Sequence, residues 1–158
     1  MNPKPLFLFA PGAGAPSTHP WMRAWAERLT AIGNVRPFDY DYMREGGHRP
    51  DPPPLLIAAH RQALGDARKD ETPAVILIGK SMGSRIGCHV ALERPVSKLV
   101  CLGYPLQAAG KPGKVRDQVL LELETPVLFV QGTRDPLCPL ELLSGVQPHR
   151  SPDNSARS

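Results

Sequence analysis

Residues 74–83, AVILIGKSMG, constrain the fold of this chain more than any other stretch. A run of β-prone residues leads straight into Gly79-Lys80-Ser81-Met82-Gly83. That is the G-x-S-x-G spacing of a sharp strand-to-helix turn, which lifts a serine hydroxyl above the end of a sheet. A turn that tight holds the serine in a strained backbone conformation, and bulky neighbours would collide, which is the steric reason for a glycine on each side. The pentapeptide alone is common by chance and gains its meaning from context. Here a strand precedes it, and a helix is predicted over residues 82–93.

Strands and helices alternate along the rest of the chain. Residues 5–10, PLFLFA, read as a buried strand that opens into Pro11-Gly12-Ala13-Gly14. Ser17 or Thr18 is the expected cap of the next helix, with Pro20 in its first turn. Trp21, Trp25, Leu29 and Ile32 follow at helical spacing and are assigned to core packing, with Gly33 as the stop. A second strand over residues 35–40 is weakened by Pro37. A polar loop over 41–54 leads to a helix over 55–68, with Leu56, Ala59 and Ala63 on one face.

The third strand, 74–78, carries the serine turn. Beyond it Ile86 and Val90 face the core, and Gly87 is read as allowing close packing against the sheet. The remaining elements are a strand at 98–103, a loop at 104–114, a helix at 115–123, a strand at 126–130 and a helix at 137–143. Residues 1–143 form the expected domain, and the polar, patternless tail 144–158 is expected to be disordered.

This alternation implies an α/β fold of three layers, α/β/α, around a parallel sheet of about five strands. The expected strand order is 2-1-3-4-5. It sets the loops after strands one and three side by side at the switch point, where open α/β sheets bind their ligands. Those two loops are the glycine-rich one and the one that carries Ser81.

Composition narrows the function classes. The 158 residues suit one domain, and 41% hydrophobic content supports a packed core. A net charge of +4 without a dense Lys/Arg stripe and interleaved aromatics argues against a nucleic-acid partner. No apolar run approaches the ~20 residues of a membrane span, so no membrane partner is expected. Cys88, Cys101 and Cys138 lack C-x-x-C spacing and are odd in number, which reads as reduced, mostly buried thiols in a cytoplasmic protein. Metal-ligand spacing of the H-E-x-x-H type is absent, and no cofactor is expected.

Two phosphate-binding readings fail on spacing. Gly79-Lys80-Ser81 ends like a P-loop, but position 74 is Ala and the interval is the strand itself. The loop at Gly12 misses the third glycine of a dinucleotide fingerprint and contains Pro16.

Acyl transfer by serine needs a nucleophile, a base, an acid that orients the base, and donors for the oxyanion. Ser81 suits the first role. The backbone N–H groups of Met82 and Ala13 suit the oxyanion hole. Asp135, on the short loop after strand five, is the natural acid, although a turn residue before Pro136 would look the same. The base should follow Asp135, and only His149 does, within Pro/Ser-rich sequence and with no strand between. His19 lies beside the oxyanion loop but reads better as a helix-entry residue. His48, His60 and His89 read as surface or packed. Lys111, Lys114 and Arg116 follow strand four on the same edge as the site. They are either a solvated loop or an attractor for an anionic substrate.

With these residues in place, the sequence resembles the small α/β-hydrolases related to dienelactone hydrolase. The resemblance is to the branch that shares its domain with testis-expressed protein thirty and the third subunit of the non-specific lethal complex. It rests on Pro11-Gly12-Ala13-Gly14 with His19-Pro20-Trp21-Met22, Phe38-Asp39-Tyr40 and Gly79-Lys80-Ser81-Met82-Gly83-Ser84-Arg85. Gly103-Tyr104-Pro105, Lys111-Pro112 with Lys114 and Arg116, and Gln131-Gly132-Thr133-Arg134-Asp135-Pro136 complete it. The resemblance implies Ser81 as nucleophile and Asp135 as acid, acting on a small-molecule acyl substrate. It also implies a histidine after a final strand, and there this chain departs from the pattern. Two function classes follow: a serine hydrolase acting on an ester or thioester, or a catalytically inactive interaction module or truncated product. Without the last strand, strand five is expected to be an open sheet edge prone to self-association.

Overall fold

The computed structural model describes residues 3–69 and 74–146. Its frame is a five-stranded parallel sheet. Strand β1 is Leu6–Ala10, β2 Asn34–Pro37, β3 Val75–Lys80, β4 Lys98–Leu102 and, after a hairpin, β7 Val127–Val130. The order is β2-β1-β3-β4-β7, as the sequence predicts, and every pairing is parallel. Parallel strands need crossovers, and helices supply them on both faces.

Helix α1, Pro20–Leu29, covers one face, where Met22 and Leu29 pack with Phe7, Phe9, Ile78 and Leu102. On the other face lie α3, Pro53–Arg68, α4, Met82–Glu93, α5, Gln118–Glu122, and α6, Leu140–Ser144. There Leu8, Leu77, Leu99 and Phe129 of the strands meet Leu64, Cys88, Val90 and Leu120 of the helices. The central strand β1 is buried at all five positions, which explains its uninterrupted apolar sequence.

Several local expectations are corrected. Ser17 does not cap α1. Its amide donates to Asp39 Oδ1 at 2.7 Å and its hydroxyl to Oδ2 at 2.9 Å. The cap is His19, whose Nδ1 accepts from the Trp21 amide at 3.1 Å. Helix α1 ends at Leu29, so Ile32 lies beyond its apolar face and is 62% exposed. The polar loop at 41–54 contains a single helical turn, α2, Asp41–Arg44.

The loop expected at 104–114 is instead an antiparallel hairpin of β5, Gln107–Ala108, and β6, Lys111–Val115. The helix expected from 115 accordingly starts at Gln118. Gly87 packs chiefly against α3. A β-carbon there would lie 3.4 Å from His60 Cε1 and only in ordinary contact with Leu77, at 3.9 Å.

The sheet is finished unevenly. Among the described residues β7 pairs only with β4. Along β7, buried Val127 and Phe129 alternate with Leu128 and Val130, each 40% exposed. Helix α1 shields the apolar residues of β1 and β3 but leaves these two open. No described helix is long and apolar enough to cross a membrane.

Candidate active site

The junction of β3 and α4 is the most constrained point of the chain. Ser81 has φ 47° and ψ −114°, and it is the only non-glycine residue with positive φ among those described. For a residue with a β-carbon this costs on the order of 1–3 kcal/mol and persists only where the surroundings enforce it. The enforcement is visible on both sides. A β-carbon on Gly79 would lie 2.4 Å from the Gly83 carbonyl carbon and 2.5 Å from the Ser84 amide nitrogen. One on Gly83 would lie 2.5 Å from the Pro11 carbonyl oxygen and 2.8 Å from Ala10 Cβ. The first turn of α4 is therefore pressed against β3 and the end of β1, and Ser81 is pushed out above them.

Hydrogen bonds hold the turn. The Ser81 amide donates to the Leu102 carbonyl at 2.8 Å, which ties it to the end of β4. The Ser84 hydroxyl donates to the Ser81 carbonyl at 2.6 Å. Among the described residues no group hydrogen-bonds the Ser81 hydroxyl, and the side chain is half-buried. Lys80 is the last residue of β3, and its ammonium sits 4.6 Å from the centroid of the Trp21 ring. That lysine is thereby engaged with α1.

The glycine-rich loop after β1 lies against the turn, since a β-carbon on Gly12 would be 3.4 Å from the Lys80 carbonyl oxygen. The loop is anchored from its far side by Tyr42, whose hydroxyl donates to the Ala13 carbonyl at 3.0 Å. Neither the Ala13 nor the Met82 amide makes a backbone hydrogen bond among the described residues. The Met82 amide also opens the first turn of α4, where helix N–H groups lack intrahelical partners.

Asp135 sits on the loop after β7, close to the end of β4. Its Oδ2 would be 3.8 Å from a β-carbon on Gly103. Oδ2 accepts from Gln131 Nε2 at 3.0 Å, and Oδ1 accepts from the Leu137 amide at 2.9 Å. The carboxylate is thus aimed by its own loop. Gln131 was visible in the sequence only as part of a motif. Its buried Oε1 has no partner among the described residues, and its place four residues before Asp135 was the signal for a supporting role.

His149 lies outside the described residues. None of the described histidines bonds Ser81 or Asp135. His19 caps α1, as the helix-entry reading expects. His48 lines a cavity of about 180 Å³ together with Ala13, Gly14 and Tyr42. His89 is half-buried on α4, where burial and then the charge of Arg85 lower its pKa. His60 is wholly buried, with Nδ1 3.0 Å from the Tyr40 hydroxyl. Burial pushes its pKa down to about 3, so it is neutral at ordinary pH.

The three cysteines are buried and none forms a disulfide among the described residues; Cys88 Sγ lies 3.8 Å from Cys101 Sγ. Burial, with Asp135 nearby, raises the Cys138 thiol to about 11, which leaves it protonated and a poor nucleophile. No group of His, Cys, Asp and Glu able to hold a metal ion occurs among the described residues.

Of the hairpin cations, Arg116 sits at the root of the hairpin. Its amide donates to the Leu106 carbonyl at 2.6 Å, and its carbonyl accepts from the Tyr104 hydroxyl at 3.0 Å. The hairpin is also tied to the Asp135 loop, because the Gln107 amide donates to the Leu137 carbonyl at 2.8 Å. Lys111 and Lys114 are exposed along β6 and make no contact with the serine turn.

Comparison with known proteins agrees with this architecture. The sequence model of a family described as an alpha/beta hydrolase domain matches residues 3–155. An alpha-beta serine hydrolase homologue from Coxiella burnetii superposes with a TM-score of 0.74 at 19% identity, covering 94% of this chain and 71% of its own. Est1E from Butyrivibrio proteoclasticus superposes at 0.69 with 17% identity, over 91% of this chain and 73% of its own. TT1662 from Thermus thermophilus does so at 0.68 with 21% identity, over 98% and 79%. At these identities the structures share the fold, while the family match spans nearly the whole sequence. The chain belongs to the α/β-hydrolase domain family.

Proposed function

We propose that the protein is a serine hydrolase that cleaves an ester or thioester through Ser81. The observation that carries this reading is the strained backbone of Ser81 at the end of β3, with its hydroxyl unbonded among the described residues. Backbone strain of this kind clusters at reactive groups because it fixes a side chain in one direction.

In the reaction, Ser81 Oγ adds to the acyl carbonyl carbon as its proton passes to a histidine oriented by Asp135. The Met82 and Ala13 amides donate to the oxyanion. The histidine returns the proton to the departing alcohol or thiol, and water then cleaves the acyl-serine by the same route in reverse. For the base, His149 is the candidate that this sequence offers after Asp135, and without a working base there the hydrolase is impaired by the loss of its triad histidine. We also place the chain in the dienelactone-hydrolase-related branch, on the motifs that run from Pro11 to Pro136.

A fluorophosphonate probe tests the reading. It should label Ser81, with the adduct located by peptide mapping, and the label should vanish in Ser81→Ala. Folded wild-type protein that takes no label would remove Ser81 as an activated nucleophile. His149→Ala should slow labelling by ~10³-fold or more if that residue is the base.

A second reading, a non-catalytic interaction module, draws on the other end of the sheet. The outer edge of β7 has no strand beside it among the described residues, and Leu128 and Val130 are exposed there. Such an edge pairs readily with another chain, and self-association of this protein is the expected form.

A further inference from the structure

Lys80 belongs to the serine turn, yet the reaction above leaves it unused. It closes β3, and its side chain is half-buried. Its carbonyl and its stem both lie along the glycine-rich loop. A β-carbon on Gly12 would be 3.4 Å from the Lys80 carbonyl oxygen, 3.6 Å from Cδ and 3.7 Å from Cγ. The stem then carries the ammonium to the face of Trp21, 4.6 Å from the ring centroid. Among the described residues that ammonium has no ion-pair partner, so the ring supplies the negative potential it meets.

Trp21 is a fixed point. It stands in the first turn of α1, with its amide donating to His19 Nδ1 at 3.1 Å. Its ring lies 5.8 Å from that of Trp25 and packs on the cluster of Phe7 and Phe9. Lys80 therefore crosses from the end of β3 to the start of α1, with Gly12 against its stem.

The loop has few other restraints. Gly12, Ala13 and Gly14 have almost no side chain, and no backbone hydrogen bond reaches them among the described residues. The peptide that joins Gly12 to Ala13 carries the N–H assigned to the oxyanion. On one side the Lys80 stem lies against Gly12. On the other the Tyr42 hydroxyl donates to the Ala13 carbonyl at 3.0 Å. An oxyanion donor is effective because it is aimed before charge develops, so the contacts that fix this peptide bear on the rate.

We propose that Lys80 is a positioning residue. Its stem, held straight by the ammonium on Trp21, fixes the Gly12–Ala13 peptide so that the Ala13 amide points at the oxyanion formed when Ser81 reacts. This role rests on the proposed roles of Ser81 and Ala13.

The test measures fluorophosphonate labelling of Ser81 in the full chain over a range of probe concentrations. That separates the maximal rate from the half-saturating concentration. Lys80→Met keeps an apolar stem and loses the charge. It should lower the maximal rate about ten-fold, a fraction of the cost of losing an oxyanion donor, and leave the half-saturating concentration unchanged. Lys80→Arg, which can lie on the same ring, should recover most of the rate. Trp21→Leu should slow labelling as Lys80→Met does, although the lysine charge is intact, and it serves if Lys80→Met fails to fold. A second readout needs no chemistry. With Trp25→Phe leaving Trp21 as the one tryptophan, Lys80→Met should shift the Trp21 emission, and Lys80→Arg should shift it less.

An unchanged maximal rate in Lys80→Met, with the wild type labelled, overturns the proposal and leaves the Ser81 reading standing. Slowing in Lys80→Met that Trp21→Leu does not reproduce also overturns it, because the lysine charge would then act on the oxyanion directly. A raised half-saturating concentration at an unchanged maximal rate would make Lys80 a probe-binding group, with the same consequence. Trp21 emission unchanged by Lys80→Met would remove the strap itself. Folded wild-type protein that takes no label sinks the Ser81 reading, and the positioning role falls with it.

Discussion

The middle of this sheet and one of its edges are built to different standards. At the β3–α4 junction, backbone approaches backbone so closely that neither Gly79 nor Gly83 has room for a β-carbon, and Ser81 is forced into positive φ. At β7 the opposite holds. Alternate residues Leu128 and Val130 face outward, and no strand continues the sheet among the described residues. The turn is over-determined and the edge is under-covered. Rigidity is concentrated at the serine turn, while β7 has no strand on its outer side among the described residues.

The sharpest way to break this contrast is to crowd the turn. Gly83→Ala should cost about 3 kcal/mol or more in urea unfolding, because the new methyl group meets the Pro11 carbonyl and Ala10 rather than a side chain that can swing away. Helix propensity alone would favour the same change by ~1 kcal/mol. A neutral or stabilising result would mean that the junction is looser than its geometry.

Acid probes the packing beneath the same helix. His60 lies against Gly87, and its folded pKa of about 3 is below the ordinary 6.5. Above pH 6.5 both folded and unfolded chains hold it neutral. As pH falls from 6.5 toward 3 the unfolded chain takes up a proton that the folded one refuses. Stability should therefore drop by about 1.4 kcal/mol per pH unit from this group alone. His60→Gln should flatten that slope in denaturation curves taken at several pH values.

A smaller effect isolates the strain itself. Ser81→Gly should stabilise the fold by ~1 kcal/mol by relieving the positive φ, whereas Ser81→Ala should not. Equal effects of the two substitutions would argue against stored strain at Ser81.

The smallest change in stability is expected at the edge. Leu128→Lys with Val130→Lys should shift stability by no more than about 0.5 kcal/mol. The pair should lower self-association measured by sedimentation, since lysines are a common guard on open edges. An unchanged sedimentation profile that is already monomeric would remove self-association from the account.

The parts that could be read from the sequence are those encoded by contiguous pattern. The run PLFLFA gives β1 because both faces of a central parallel strand are buried. The helix after Ser81 spans Met82–Glu93 as its spacing implies. What escaped reading depended on distant partners. Ser17 looks like a helix cap, yet its amide and hydroxyl both go to Asp39, 22 residues away, so His19 takes over. Residues 104–114 read as a loop because Gly110, Pro112 and Gly113 interrupt any strand pattern. Anchors at Leu106 and Leu137 nevertheless fold them into a hairpin. His60 carried no mark of burial in its sequence neighbourhood, and the Tyr40 hydroxyl and the α3–α4 contact decided it.

By itself the sequence determined the strand order and the place of Ser81 at the switch point, because glycine spacing and apolar runs act over a few residues. Only the tertiary structure decided which groups surround that serine. It tied the Ser81 amide to the Leu102 carbonyl and laid the Gly12 loop against the turn, because these contacts join segments that are distant along the chain. A linear pattern records what neighbours along the chain require of one another, and contacts between distant loops are settled by packing and charge in three dimensions.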